Sequence, residues 1–303
     1  MTGLHTSQFF YSEKTPGNLP GLFFKHPAIL TAAVVLFFCL VSCTTLPERV
    51  ETTHYTVGQM VPEKIVWRTV TPAIERVDFF SRELPLRWHA VRIDLSDNNL
   101  QIITFPSKTT AEQALRTGIT VGDFSRSTKA VAAINVSPFT LSYGFLYARP
   151  AILGLWVVGE TLLSEPEPRY GALLINKTDR GTYTAEITDC QTKNTAATYY
   201  AFGGYWTILR NNTIFQFKHY RTARTAAGIS ENGKILILLS VEGKKRESSQ
   251  GLSFMECAQI LKTLGAETAL EFDGGSSSAL YINGGNTFAY ETNRKVAACL
   301  GFR

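Results

Sequence analysis

The stretch Glu271-Phe272-Asp273-Gly274-Gly275-Ser276-Ser277-Ser278 is the strongest candidate for chemistry in the chain. On an extended strand, residues two apart point to the same side, so Glu271 and Asp273 share a face about 6.6 Å apart along the backbone. Two carboxylates so placed suit work on a glycosidic bond. The glycines after Asp273 let other groups approach the backbone and bare several N–H donors that can cradle an anion. The same stretch is also readable as a Gly-rich turn carrying a solvated acid. Two other chemistries fail on spacing. No Gly-Lys-Ser/Thr follows, as a phosphate loop requires, and no serine sits in a Gly-x-Ser-x-Gly frame, as a nucleophile elbow requires. Ser277 and Ser278 therefore read as hydrogen-bond donors rather than nucleophiles.

Two further groups could join this turn. Arg224, in Arg224-Thr225-Ala226-Ala227-Gly228, has the planar guanidinium that best holds a phosphate through paired, charge-assisted bonds; without a ligand it is a surface arginine. Glu242 ends an apolar segment and would lie near Asp273 if the two strands are parallel neighbours joined by a helix, since ligands gather at such strand ends; otherwise it is an exposed acid before Gly243. Glu256 fits a helix capping box with Ser253. His54, His89 and His219 show no ligand spacing and read as structural or exposed.

The elements that must position these groups are legible from periodicity. Residues 89–95 alternate as a strand, residues 101–105 look like its hairpin neighbour across Asp97-Asn98-Asn99, and residues 110–117 and 121–127 suit short helices. Residues 130–134 form a buried strand running into Asn135, and shorter strands are expected over 153–158, 171–176, 183–188, 206–209 and 213–217. Residues 234–241 are apolar on both faces and so form a central strand, introduced by the turn pair Asn232-Gly233. Ser253 opens a helix whose stripe is Cys257, Ile260, Leu261 and Leu264, closed by Gly265. A strand over 268–272 and a final pair around 280–282 and 296–302 complete the pattern. The fold class expected is α+β: a single domain with a large twisted mixed β-sheet and a few flanking helices.

Composition narrows the function classes. The 303 residues are 45% hydrophobic and 18% charged, which excludes a disordered chain. Thirty Lys and Arg against 25 Asp and Glu are spread rather than blocked, so the basic stripe of a nucleic-acid binder is absent and no nucleic-acid partner is expected. Residues 28–42 are apolar, too short to span a bilayer comfortably but the right length for a secretory signal. Leu40-Val41-Ser42-Cys43 resembles the site at which a bacterial signal peptidase cuts before a lipid-modified cysteine; the other reading is an uncleaved N-terminal anchor. The expected organisation is a lipoprotein-type signal peptide over 1–42, a tether over 43–75 that starts at lipidated Cys43, and a domain over 76–303, held outside the cytoplasm by lipid on a bacterial cell-envelope membrane. Cys190, Cys257 and Cys299 are too widely spaced for a metal site or a disulfide framework.

Together, Arg224-Thr225-Ala226-Ala227-Gly228, Glu242-Gly243-Lys244, Ser253 with Glu256, Leu264-Gly265-Ala266 and Phe272-Asp273-Gly274-Gly275-Ser276-Ser277-Ser278 resemble the phosphodiester glycosidase family, with Ala132-Ala133-Ile134-Asn135 and Phe139 as an upstream match. The family includes the lysosomal N-acetylglucosamine-1-phosphodiester α-N-acetylglucosaminidase and bacterial envelope proteins. The resemblance implies hydrolysis of the bond between a sugar's anomeric carbon and a phosphodiester oxygen, with Asp273 and Glu242 as the catalytic carboxylates. Arg224 and Thr225 would hold phosphate, Asn135 sugar or phosphate, and Gly274, Gly275, Ser277 and Ser278 would shape the pocket floor. The sequence departs from the family where Ser276 replaces a glycine, where Glu271 replaces a common Asn, and where Val136 and Pro138 stand in a usually Gly-rich loop. Those departures support the alternative of a lipoprotein that binds anionic or phosphorylated glycans without turnover. No cofactor is required; carboxylates and Asn suit a hard cation such as calcium or magnesium, although no ordered ligand loop is visible.

Overall fold

The chain divides into two units, Met1–Thr52 and Thr53–Arg303. The structure, a computed structural model, describes residues 55–81, 83–112, 117–143 and 148–303. The expected signal peptide, Cys43 and the first part of the tether lie outside these residues, as does part of the helix expected over 110–117.

The described elements open with a one-turn helix α1 (Val57–Met60), then β1 (Arg68–Thr71), β2 (Ile74–Phe80), β3 (Arg87–Asp94), β4 (Ile102–Phe105) and β5 (Ile119–Thr120). Helix α2 (Val121–Thr128) leads to β6 (Ala132–Asn135), β7 (Phe139–Tyr143), β8 (Ala148–Ile152), β9 (Trp156–Val158) and β10 (Thr161–Ser164). Next come β11 (Ala172–Lys177), β12 (Tyr183–Thr188), β13 (Tyr200–Gly203), β14 (Thr207–Arg210), β15 (Thr213–Ile214), β16 (Arg224–Ser230) and β17 (Ile235–Val241). Helix α3 (Phe254–Thr263) precedes β18 (Thr268–Glu271), followed by β19 (Leu280–Ile282), β20 (Gly285–Asn286), β21 (Lys295–Val296) and β22 (Cys299–Phe302).

These strands build an eight-stranded sheet in the order β1-β2-β3-β17-β16-β18-β14-β15, two five-stranded sheets, β10-β9-β13-β11-β12 and β20-β19-β6-β22-β4, and two strand pairs, β21-β5 and β7-β8. The α+β single-domain expectation holds, with one correction. Every pairing in the large sheet is antiparallel, so it is not mixed. Strands β17 and β18 do run parallel to each other, but β16 lies between them, antiparallel to both; α3 therefore carries the chain over one intervening strand. The expected hairpin at Asp97-Asn98-Asn99 is instead a passage between sheets, for β3 pairs with β2 and β17 whereas β4 pairs with β22.

Strand β17 explains why its sequence is apolar throughout. Leu236 and Leu238 enter a core shared with Phe202, Leu270 and Phe272. Ile237, Leu239 and Val241 enter a second core against Cys257, Ile260 and Leu261 of α3. The capping box that starts α3 forms as the sequence requires: the Glu256 N–H donates to Ser253 Oγ at 3.3 Å, and the Ser253 N–H donates to Glu256 Oε2 at 2.8 Å. Cys257 and Cys299 are buried free thiols and Cys190 is exposed.

The tether boundary at residue 75 is also corrected. Met60 is fully buried, the Trp88 indole N–H donates to its carbonyl at 2.7 Å, and β1 and β2 form one end of the large sheet. Packing by Met60, Val61, Ala73 and Ile74 thus makes residues 55–75 part of the domain, although their polar, aperiodic sequence hides it.

Candidate active site

Antiparallel pairing brings the start of β16 and the ends of β17 and β18 to one edge of the large sheet. Arg224 lies opposite Val241, so Glu242 emerges one residue past it. Ala226 lies opposite Glu271, and the Phe272 N–H donates to the Thr225 carbonyl at 2.8 Å; Asp273 therefore leaves the sheet beside Arg224. Beyond β18, Thr207 opposes Leu270, which brings Tyr205 and Trp206 to the same edge.

The turn carrying Asp273 is fastened from behind by Asn135. Its Nδ2 donates to the Asp273 carbonyl at 2.6 Å, and its Oδ1 accepts from Thr225 Oγ1 at 2.9 Å and from the Ala279 N–H at 3.1 Å. Asn135 and Thr225 are buried and joined to each other and the turn. The Asp273 N–H donates to the Val136 carbonyl at 2.8 Å, and the Gly275 N–H to the Ala223 carbonyl at 2.7 Å. A Cβ at Gly274 would stand 2.9 Å from the Ala223 oxygen, and Gly275 has φ +61°, so both glycines are demanded by the backbone. Val136 buries its side chain in the core and adds none to the cleft.

Burial raises the Asp273 carboxyl to about 6, opposed by a hydrogen bond from Ser277, the charge of Arg294 and the Gly274 N–H. Glu271 is fully buried, and neither of its oxygens has a hydrogen-bond partner. Burial lifts it to about 8, with the nearby Arg224 charge pulling down and Asp273 pushing up. Glu271 is thus a neutral acid at pH 7 and the Asp273 group is mainly ionised. Arg224 approaches Glu271 at 3.8 Å, lies over the Phe254 ring at 4.1 Å, and donates through Nε and Nη2 to the carbonyls of Leu252 and Tyr220. Its fork is therefore largely engaged by the protein.

Glu242 is completely buried. Its Oε1 faces His89 Nε2 at 3.1 Å and accepts the Ala289 N–H at 3.1 Å, while Oε2 has no hydrogen-bond partner. His89 Nδ1 meets Asp78 at 2.7 Å, and Asp78 is paired in turn with Arg76 and Arg68. Burial pulls the imidazole down, but hydrogen bonds and charge from both carboxylates leave it above its ordinary value. His89 is structural, as its sequence suggests, but as the centre of a buried ionic chain.

In front of Glu242 lies a cleft of about 530 Å³ whose walls include Ala223, Gly243, Lys244, Gly275, Tyr290 and Arg294. Ser278 also lines it, with a buried hydroxyl lacking a hydrogen-bond partner. Tyr290 accepts the Gly243 and Lys244 N–H groups at 3.3 and 3.4 Å. Beside the Asp273 turn the cleft thus combines two cations, a phenol and a hydroxyl with one carboxylate, Glu291, so that its cations outnumber its acids and leave a net charge suited to an anion. Of the residues expected from sequence, Gly275 and Ser278 line it, Gly274 and Ser277 shape the adjoining turn, and Asn135, Thr225, Arg224 and Glu242 stand behind it. Sequence reading missed Lys244 as a lining cation, along with Tyr290 and Arg294; the pair Arg294-Lys295 following a tyrosine is a weak signal that only the fold makes meaningful.

Among the described residues no group of three or more His, Cys, Asp and Glu side chains could hold a metal ion. No chemical step below involves calcium or magnesium.

A family model described as phosphodiester glycosidase matches residues 128–303, more than half of the chain. The fold is similar to that of a Burkholderia pseudomallei protein described as exported, with 15% identity, 72% of this chain and 74% of that one covered, and a TM-score of 0.58. It is similar to the zebrafish N-acetylglucosamine-1-phosphodiester α-N-acetylglucosaminidase catalytic domain auto-inhibited by its pro-peptide, at 16% identity, 77% and 84% coverage, and a TM-score of 0.59. A hypothetical protein from Synechocystis gives 15%, 79% and 64%, and 0.59. No curated protein matches the sequence.

Proposed function

The chain belongs to the phosphodiester glycosidase family, and on that premise we propose that it hydrolyses sugar-1-phosphodiesters, with an N-acetylglucosamine-like sugar favoured. The observation that carries this reading is that the turn carrying the half-buried Asp273 also supplies Gly275 and Ser278 to the wall of a cleft bearing Lys244 and Arg294. The cations hold the phosphodiester, and the Ser278 hydroxyl donates to one of its oxygens. Asp273 faces the anomeric carbon. The bond from that carbon to the bridging oxygen breaks, and its electron pair leaves with the phosphate. The oxygen of water bonds the anomeric carbon and its proton passes to solvent, giving a free sugar and a phosphate monoester.

A phosphate leaving group needs little protonation, so stabilising positive charge on the sugar ring matters more than a strong general acid. Asp273, negative and poorly solvated, is the group for that work. Glu242 and Arg224 act from behind: Glu242 fixes the segment before Tyr290 through the Ala289 N–H, and Arg224 lies beside Glu271. The test is incubation of the full-length protein with an N-acetylglucosamine-1-phosphodiester, with free sugar as the readout. Turnover is expected in the parent and a loss of at least about a thousandfold in Asp273→Ala; turnover surviving in that variant overturns the site.

The same reading puts the enzyme outside the cytoplasm, tethered to a cell-envelope membrane by a lipid on Cys43, with surface glycans as substrate. This rests on residues 28–43 and on the family's phosphodiester substrates. Among the described residues no helix is long and apolar enough to cross a membrane. Cys43→Ser is expected to move the protein from the membrane fraction to the soluble one; unchanged fractionation contradicts the anchor.

A further inference from the structure

Beside Asp273, on the side away from the cationic cleft, stands an aromatic assembly that the chemistry so far leaves unused. Trp206 is 42% exposed, yet it is held rigidly. It stacks on Tyr205 with centroids 5.3 Å apart and planes 20° apart, and Tyr170 meets both rings edge-on at 5.1 and 5.5 Å. Phe254 lies 5.6 Å from it, and Phe254 is the ring beneath Arg224. The backbone ties the pair to the reacting turn: the Tyr205 N–H donates to the Glu271 carbonyl at 2.7 Å, and the Glu271 N–H donates to the Trp206 carbonyl at 3.0 Å. Burial lifts the Tyr205 phenol to about 12, and the negative charge of Asp273 adds to the shift.

Sheet order sets the distances. From β17 across β16 and β18 to β14, one edge presents Gly243 and Lys244, then Ala223, then Asp273, then Tyr205 and Trp206. Adjacent strands lie about 4.8 Å apart, so Asp273 stands one strand spacing from the strand that leads from the indole and two from the strand that carries Lys244, with the aromatic pair and the cations on opposite sides of it. A pyranose ring carries one face of C–H groups and a rim of hydroxyls, and an aromatic plane receives the first without desolvating the second.

We propose that Trp206, stiffened by Tyr205 and Tyr170, is the platform on which the pyranose ring of the substrate stacks, so that the substrate lies across the sheet edge with its sugar on the aromatic side and its phosphodiester in the Lys244–Arg294 cleft. This rests on the hydrolase reading for its orientation, but the platform is testable without turnover. Two measurements on the full-length protein separate the ideas. Saturation-transfer NMR with free N-acetylglucosamine reads the platform directly: the parent transfers saturation to the sugar ring protons, Trp206→Ala loses the transfer, and Trp206→Phe keeps most of it. Kinetics with an N-acetylglucosamine-1-phosphodiester then read orientation: Trp206→Ala raises KM about tenfold with kcat within about threefold, whereas inhibition by inorganic phosphate is unchanged. Sugar transfer without turnover in the parent overturns the hydrolase reading and keeps the platform. Transfer surviving in Trp206→Ala, a KM unchanged by that substitution, phosphate inhibition lost in parallel, or Trp206→Ala abolishing self-association instead of sugar binding overturns the platform.

Discussion

Glu271 and Asp273 illustrate how two acids in one short segment acquire different states. Asp273 leaves the sheet at the turn and is raised to about 6, while Glu271 stays under α3 and is raised to about 8. Both folded values lie above the ordinary carboxylate range, so the folded protein binds these protons more tightly than the unfolded chain. Stability from Glu271 is therefore full below its ordinary 4.5 and declines as pH rises to about 8. Glu271→Gln keeps the shape and removes the titration. The expected outcome is similar unfolding free energy near pH 5 and a variant more stable than the parent by a few kcal/mol at pH 8; urea unfolding at several pH values checks it, and parallel pH curves contradict it. The sequence disclosed that these acids share a segment. It did not disclose that Glu271 is buried, near Cys257 and Arg224 of other elements.

The three strands whose ends carry Arg224, Glu242 and Asp273 were legible because their apolar runs and the capping box of α3 are local signals. Their neighbour relations were not, since a parallel pair joined by a helix looks the same in sequence whether or not a third strand lies between. For the same reason Glu242 reads as a strand-end acid, whereas β3 and β2 cover it with His89 and Asp78. That chain fixes the segment before Tyr290 through the Ala289 N–H. Removing the imidazole leaves Glu242 buried without its cation, which costs roughly 3 kcal/mol. His89→Gln is expected to lower unfolding free energy by about that amount near pH 6 and to raise KM more than kcat, as the cleft wall loosens. The raised imidazole contributes stability below about 6.5 that fades as pH climbs through its folded value, so the gap between parent and variant narrows in alkali. A constant gap, or a fall in kcat alone, contradicts a positioning role.

At the level of the molecule, one edge of the antiparallel eight-stranded sheet becomes a row of unlike chemistries: cations, an acid, then aromatic rings. Family motifs in the last third of the chain pointed to this edge, but Lys244, Tyr290, Arg294 and Trp206 become meaningful only once sheet order places them around Asp273. The N-terminal border was illegible for a related reason, because residues 55–75 gain their structure from partners such as Trp88 rather than from their own periodicity. The claim on which the row depends is that the bond broken is the one to the sugar's anomeric carbon. Hydrolysis of an N-acetylglucosamine-1-phosphodiester in water enriched in oxygen-18, followed by mass spectrometry of both products, reads that bond directly. A site built around Asp273 predicts the heavy oxygen in the released sugar and an unlabelled phosphate monoester; label in the phosphate means that phosphorus, not carbon, was attacked, and contradicts it.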